Sequence, residues 1–244
     1  MASAPFATSS AVLLAVADQP LTLSRPAKSF MQAHRKDTKE VAQTGACIGR
    51  EFGYELLAEV SAIQGEALDE ALVQLVESGL VFRRGQHREG NYSFKHALMR
   101  DASYSSLLKA HRRRVHESIA ETLDKQFPDV AAEQPEVLAH HYSEAELNES
   151  AVGYWQRAGQ RASERSAYLE AIAHLTQGLA SLVNLPETPA RLQQELDIQV
   201  ALGPALMNIR GQADPEVARA YARARELCQQ AGETPKLFPV LSGL

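Results

Sequence analysis

Between Leu75 and Tyr104 the chain reads LVESGLVFRRGQHREGNYSFKHALMRDASY, and the periodicity of its apolar residues changes repeatedly over that short span. Leu68, Leu72, Leu75 and Val76 fall at helical spacing on one face, and Gly79 stands where a helix ends on a residue of positive φ. Leu80-Val81-Phe82 favours a strand; Arg84 to Asn91 carries Gly85 and Gly90, which suit a hairpin turn; Tyr92-Ser93-Phe94 returns as the partner strand. Another helix follows at once, with His96 at its mouth.

The residues upstream supply such helices. Thr38 can cap a helix running through Glu40, Val41, Ala42 and Ala46, with Gly45 and Gly49 marking its end. Gly49-Arg50-Glu51-Phe52 reads as a turn, Tyr54 to Val60 as a second short helix, and Glu66 to Ser78 as a third. Three helices and a hairpin make a winged-helix unit. This segment resembles the winged helix that follows the nucleotide-binding core of STAND-class signalling ATPases, a group that includes bacterial transcription activators and plant immune receptors. Phe94-Lys95-His96-Ala97-Leu98-Met99-Arg100-Asp101-Ala102 is similar to the stretch that carries their nucleotide-sensing histidine. The resemblance implies that His96 opens a helix and faces the β-phosphate of ADP, a sensible place for an anion beside free backbone N–H groups. Ala97 stands where immune receptors often carry aspartate.

The core itself has no counterpart. No GxxxxGK[ST] occurs, and Gly45 to Arg50 (GACIGR) lacks the lysine and hydroxyl that a phosphate loop requires. Nothing reads as a strand ending in paired acids for magnesium. The segment also resembles the parts that follow class III nucleotide cyclases fused to such ATPases, yet no cyclase-like stretch is present. The expectation is a non-enzyme with no cofactor, ATP or ADP belonging only to the intact parent family.

Beyond the hairpin, Lys109, His111, Arg112, Arg113, Arg114 and His116 form a basic patch, while Val115, Ile119 and Leu123 keep an apolar stripe. An amphipathic helix with its arginines toward water is expected. A duplex could use Arg112, Arg113 and Arg114 against phosphates, but a net charge of −5 speaks against nucleic acid as a partner.

The last hundred or so residues read as paired helices. Trp155, Ala158, Gly159 and Ala162 follow the first-helix spacing of a tetratricopeptide repeat, and Tyr168, Ala171 and Leu175 the second, with Gly178 in place of the usual alanine. A preceding set, Leu138, Ala139, Tyr142, Ala151 and Trp155, fits the same consensus but overlaps the first, which leaves the pairing of the helices open. A later pair runs from Ala190 to Ile209 and from Pro215 to Gln230. The prolines fall between periodic segments rather than inside them.

The expected fold is therefore mainly α: a leader over 1–37, a winged-helix domain with its following helix over 38–130, and an α-solenoid of tetratricopeptide-like helical hairpins over 131–244, truncated at the C-terminus. The leader has a short apolar run, Ala11 to Ala17, without the preceding basic residues of a secretory signal. The apolar ending, Lys236 to Leu244, reads like the start of another helix. Cys47 and Cys228 lie in no metal or redox spacing, which suits a reducing, cytoplasmic setting. His140-His141 point about 100 degrees apart on a helix and find no further ligand at metal spacing, so no metal site is expected. The function these readings favour is a regulatory interaction module whose repeats take a protein or peptide partner. Two alternatives stay open: the C-terminal part of an ATPase or cyclase acting with a separate nucleotide-binding core, and a DNA-binding regulator. No membrane partner is expected.

Overall fold

The computed structural model of the protein describes residues 35–86 and 88–231; most of the expected leader and the apolar C-terminal run lie outside them. The described chain is mainly helical, with one small antiparallel sheet, and it divides into two compact units between Gln126 and Phe127.

The first unit contains α1 (Lys36–Ile48), β1 (Glu51–Gly53), α2 (Tyr54–Val60), α3 (Gly65–Glu77), β2 (Val81–Arg84), β3 (Asn91–Phe94), α4 (Ala97–Ser105) and α5 (Lys109–Gln126). α3 buries Leu68, Ala71, Leu72 and Leu75, the i, i+3, i+4, i+7 pattern of one helical face. It ends in a Schellman motif: Leu80 N–H donates to the Leu75 carbonyl at 3.1 Å and Gly79 N–H to that of Val76 at 3.0 Å, with Gly79 at φ 70°. That closure turns the chain straight into β2.

β3 is the central strand, pairing with β2 through Val81–Phe94 and Arg83–Tyr92, and with β1 through Phe52–Tyr92. The expected turn at Gly49–Phe52 is thus partly a strand. Three residues are too few to show an alternating pattern, and the hydrogen bonds of β3 define the element. Phe52, Tyr92 and Phe94 point into the core with Val41, Leu57, Leu68 and Leu72. The Phe52 ring takes the space beside Gly45, where an added Cβ would sit 2.8 Å from ring carbons. Thr38 does not cap α1. Arg35 holds that position without a side-chain hydrogen bond, while Thr38 is buried and its hydroxyl donates to Gln74 Oε1 at 2.6 Å, tying α1 to α3.

The second unit is a run of helices: α6 (Pro128–Glu133), α7 (Pro135–Glu144), α8 (Asn148–Glu164), α9 (Tyr168–Leu182), α10 (Pro189–Arg210) and α11 (Pro215–Ala231). Consecutive helices from α7 onward pack on one another, around Val152, Leu175, Leu182, Leu196, Ile198 and Leu206. The turns after α7 and α8 are twins. Leu147 N–H reaches the Tyr142 carbonyl and Ala167 N–H that of Ala162, each at 2.9 Å, with Glu146 and Ser166 both at φ 59°. These are Schellman closures made without glycine. Four helices start with proline at a first-turn position where a missing N–H is harmless, but Pro204 lies inside α10, contrary to the expectation that prolines avoid helix interiors. The tolerance has a local cause, since Gly203 beside it lets the Tyr221 ring come within 2.6 Å of where a Cβ would be. Packing against α11 holds the segment where propensity alone would break it.

Candidate functional site

His96 is the N-cap residue of α4, as expected, with extended backbone (φ −133°, ψ 132°) and an exposed ring. Its carbonyl accepts from Met99 N–H at 3.0 Å, while its side chain makes no capping hydrogen bond. Beside it, exposed Lys95 lies over the half-exposed Phe82 ring at 5.5 Å, and Leu98 is 68% exposed. The histidine therefore faces outward at a helix mouth, in the company of a cation and two apolar groups.

The arginine row does not act as one surface. Arg112 stacks on the Tyr104 ring at 4.8 Å, and the Tyr104 hydroxyl is 3.1 Å from His116 Nε2. Arg113 and Arg114 are exposed on α5, while Val115, Ile119 and Leu123 on its opposite side are buried. Steps of about 100 degrees per residue separate neighbouring side chains on a helix, so one of the three points inward and two point out.

In the second unit the repeat-signature residues converge. Trp155, Ala158, Gly159 and Ala162 form the buried side of α8; Ala171 and Leu175 are fully buried on α9, and Tyr168 is half-buried near its start. Gly159 is the closest approach: a Cβ there would lie 2.5 Å from Leu175 Cγ. Gly178, the departure from the expected alanine, has its own reason. A Cβ would meet Ile198 Cδ1 at 3.1 Å and Trp155 Cβ at 3.3 Å, so α9 presses on α8 and α10 at one residue.

Trp155 also holds polar neighbours. Its Nε1–H donates to Ser143 Oγ at 2.9 Å, and its ring stacks on His174 with centroids 5.5 Å apart and planes 22° apart. Burial drives the His174 imidazole below its ordinary value of 6.5; Glu136 and Glu170 pull it upward by less, and Arg165 adds to the fall. The unfolded chain thus takes up a proton on this group at a higher pH than the folded chain does. Its contribution to stability is complete above the unfolded value and is lost as pH falls below it. Between about pH 7.5 and about pH 5.5, His174→Gln should lose less unfolding free energy than the parent in parallel urea titrations. Equal losses in the two proteins would remove His174 from the account.

Sequence reasoning missed His174, which has no spacing signal toward Trp155 until α8 and α9 are paired. It also missed the Glu195–Arg223 bridge between α10 and α11, made at 2.6 and 3.2 Å. Glu195 and Arg223 border a cavity of about 190 Å³ with Leu179, Leu182, Val183 and Arg191. Its charges are matched from within, because Arg191 donates from Nε to the Leu182 carbonyl at 2.9 Å and pairs with Glu187 at 3.3 Å.

No family profile matches the chain. Among curated proteins it is similar to an uncharacterized protein of Rhizobium meliloti (strain 1021), 28% identical over 208 residues that cover 84% of this chain and 20% of that protein. The chain thus spans about a fifth of the length of the curated relative it matches. No solved structure matches it. No helix among the described residues is long and apolar enough to cross a membrane.

Proposed function

We propose that the chain is a regulatory interaction module in which the helices from α7 to α11 bind a protein or peptide. The observation that carries this reading is the succession of packed helices closed by twin turns, with glycines at Gly159, Gly178 and Gly203 where neighbours come closest. Repeated helical pairs of this kind, here read as tetratricopeptide-like, offer a long continuous surface rather than a closed catalytic pocket. Leu169, Val183 and Ile209, exposed by 69%, 75% and 45%, supply apolar purchase on it. The three helices and sheet of the first unit support a winged-helix reading. A relative about five times as long as the matched stretch supports a module of a larger polypeptide.

A second reading rests on His96: an exposed histidine at a helix mouth fits a nucleotide switch completed by a separate core. The duplex-binding reading has less in its favour, since α3, the helix before the hairpin, presents Glu66, Glu70 and Glu77 to solvent and would repel phosphates.

Selection of a random displayed-peptide library on the full chain separates the two main readings. Enriched peptides should protect amides within residues 135–231 from hydrogen exchange and bind His96→Ala as well as the parent. Magnesium-ADP should leave the melting midpoint where it is. A nucleotide at a hundredfold excess over its dissociation constant would add about 2.7 kcal/mol. Such a rise, or peptides that protect only 36–126, would overturn the interaction reading in favour of the switch.

A further inference from the structure

Several arginines of this chain meet a carboxylate with the same edge of the guanidinium. Arg223 presents Nε and Nη2 to the two carboxylate oxygens of Glu195, and Arg88 presents the same pair to Asp69 Oδ2 at 3.3 and 2.8 Å. That edge is the fork by which a guanidinium takes a carboxylate with two parallel hydrogen bonds. Arg161 on α8 departs from the pattern. Its Nη1 donates to the Ala132 carbonyl at 3.0 Å, which leaves the Nε–Nη2 fork, and its Nε is closed off from solvent without a hydrogen-bond partner. A buried donor left unpaired costs about 1–3 kcal/mol, so this arrangement needs a reason.

Arg157 lies one turn earlier on the same face. Its guanidinium rests on the Tyr154 ring at 4.7 Å, Tyr154 stacks on Tyr142 at 5.5 Å, and its Nη2 reaches the Ala131 carbonyl at 3.4 Å. Among the described residues neither arginine forms an ion pair. With Ala132, Pro135, Gln160 and Glu164 they line a cavity of about 160 Å³, which has room for a carboxyl group and a short stem but is small for a nucleotide. Capping the end of α6 accounts for one N–H from each arginine. It does not account for the fork, because a lysine would cap as well.

We infer that Arg157 and Arg161 form a carboxylate-binding site, the Arg161 fork taking both oxygens once a turn of the guanidinium brings its closed-off Nε edge to the cavity, and the stacked Arg157 supplying a second cation. Glu164 at the rim opposes the bound charge and limits affinity. The site rests on the interaction reading only for the source of the carboxylate, an acidic peptide; a small free acid would use the same chemistry.

The Nε–H resonance of Arg161 in the ¹⁵N-labelled full chain reports on the site directly. It is followed during titration with glutarate, with an acetylated and amidated peptide of alternating aspartate and glycine, and with inorganic phosphate. Either carboxylate probe should move it to saturation. Arg161→Lys, which lacks that resonance and is followed on the Nε–H of Arg157 instead, should weaken binding about tenfold or more, since an ammonium cannot reproduce the fork, while its melting midpoint stays near the parent's because lysine still reaches Ala132. Glu164→Gln, an exposed change, should tighten binding several-fold. Tighter binding of the peptide supports the site and the peptide source together. Equal binding of glutarate supports the site and counts against the peptide alone. The inference falls if neither carboxylate saturates the resonance, if only phosphate does, or if Arg161→Lys and Glu164→Gln bind as the parent does.

Discussion

Leu175→Ala lowers the unfolding free energy by about 3 kcal/mol, the usual loss when a fully buried leucine is truncated and its cavity only partly closes. Gly159→Ala also destabilises, for the opposite reason. Its new methyl would enter at 2.5 Å from Leu175 Cγ, and 3.4 Å from the Ala171 carbonyl oxygen blocks the other side. Overpacking of that kind costs about 1–3 kcal/mol, offset by about 1 kcal/mol of helix propensity gained over glycine. The double variant gives the sharper result. Each change relieves the other, so their combined loss falls short of the sum by on the order of 1 kcal/mol. Urea unfolding followed by Trp155 emission measures all three. A strictly additive double variant means that α8 and α9 do not meet at this pair.

Phe52→Ala has an effect of similar size in the first unit. Phe52 is 1% exposed, its ring lies parallel to Tyr92 with centroids 5.7 Å apart, and it leans against Phe94 at the same distance. Truncating a buried aromatic costs about 3–5 kcal/mol, and Phe52→Leu, which keeps most of the apolar volume, should cost about half of that. Thermal unfolding followed by circular dichroism reads both. If alanine at this position costs no more than leucine, the ring is not the plug between sheet and α1 described above.

These two sites differ in how far the sequence announces them. α8 and α9 are legible as helices, because Trp155, Ala158, Gly159 and Ala162 recur at helical spacing and so do Ala171 and Leu175, but their pairing is not, since Leu138, Ala139, Tyr142, Ala151 and Trp155 fit the same repeat consensus in an overlapping register. The boundaries of α2 and α3 are legible from their helical spacing, with Gly79 at positive φ marking the stop of α3. β1 is not legible: its three residues acquire a partner only when β3 is folded beside them. Nor are the twin turns, since Glu146 and Ser166 adopt a conformation that glycine usually signals. Pro204 misleads in the other direction, because tertiary packing overrides a strong local preference. The proposed carboxylate site is not legible. Arg157 and Arg161 stand at i and i+4, but the two carbonyls that fix them belong to α6, remote in sequence.

Gly178 bears on how such a protein could carry a signal. With no side chain of its own, it places the backbone of α9 against both Trp155 and Ile198. There is no slack at that point. A partner that displaces α8 by a fraction of an ångström must either move α10 as well or open a void, and voids in close-packed interiors are expensive. At Gly178 the three helices are thereby geared, since none of α8, α9 and α10 has room there to shift alone.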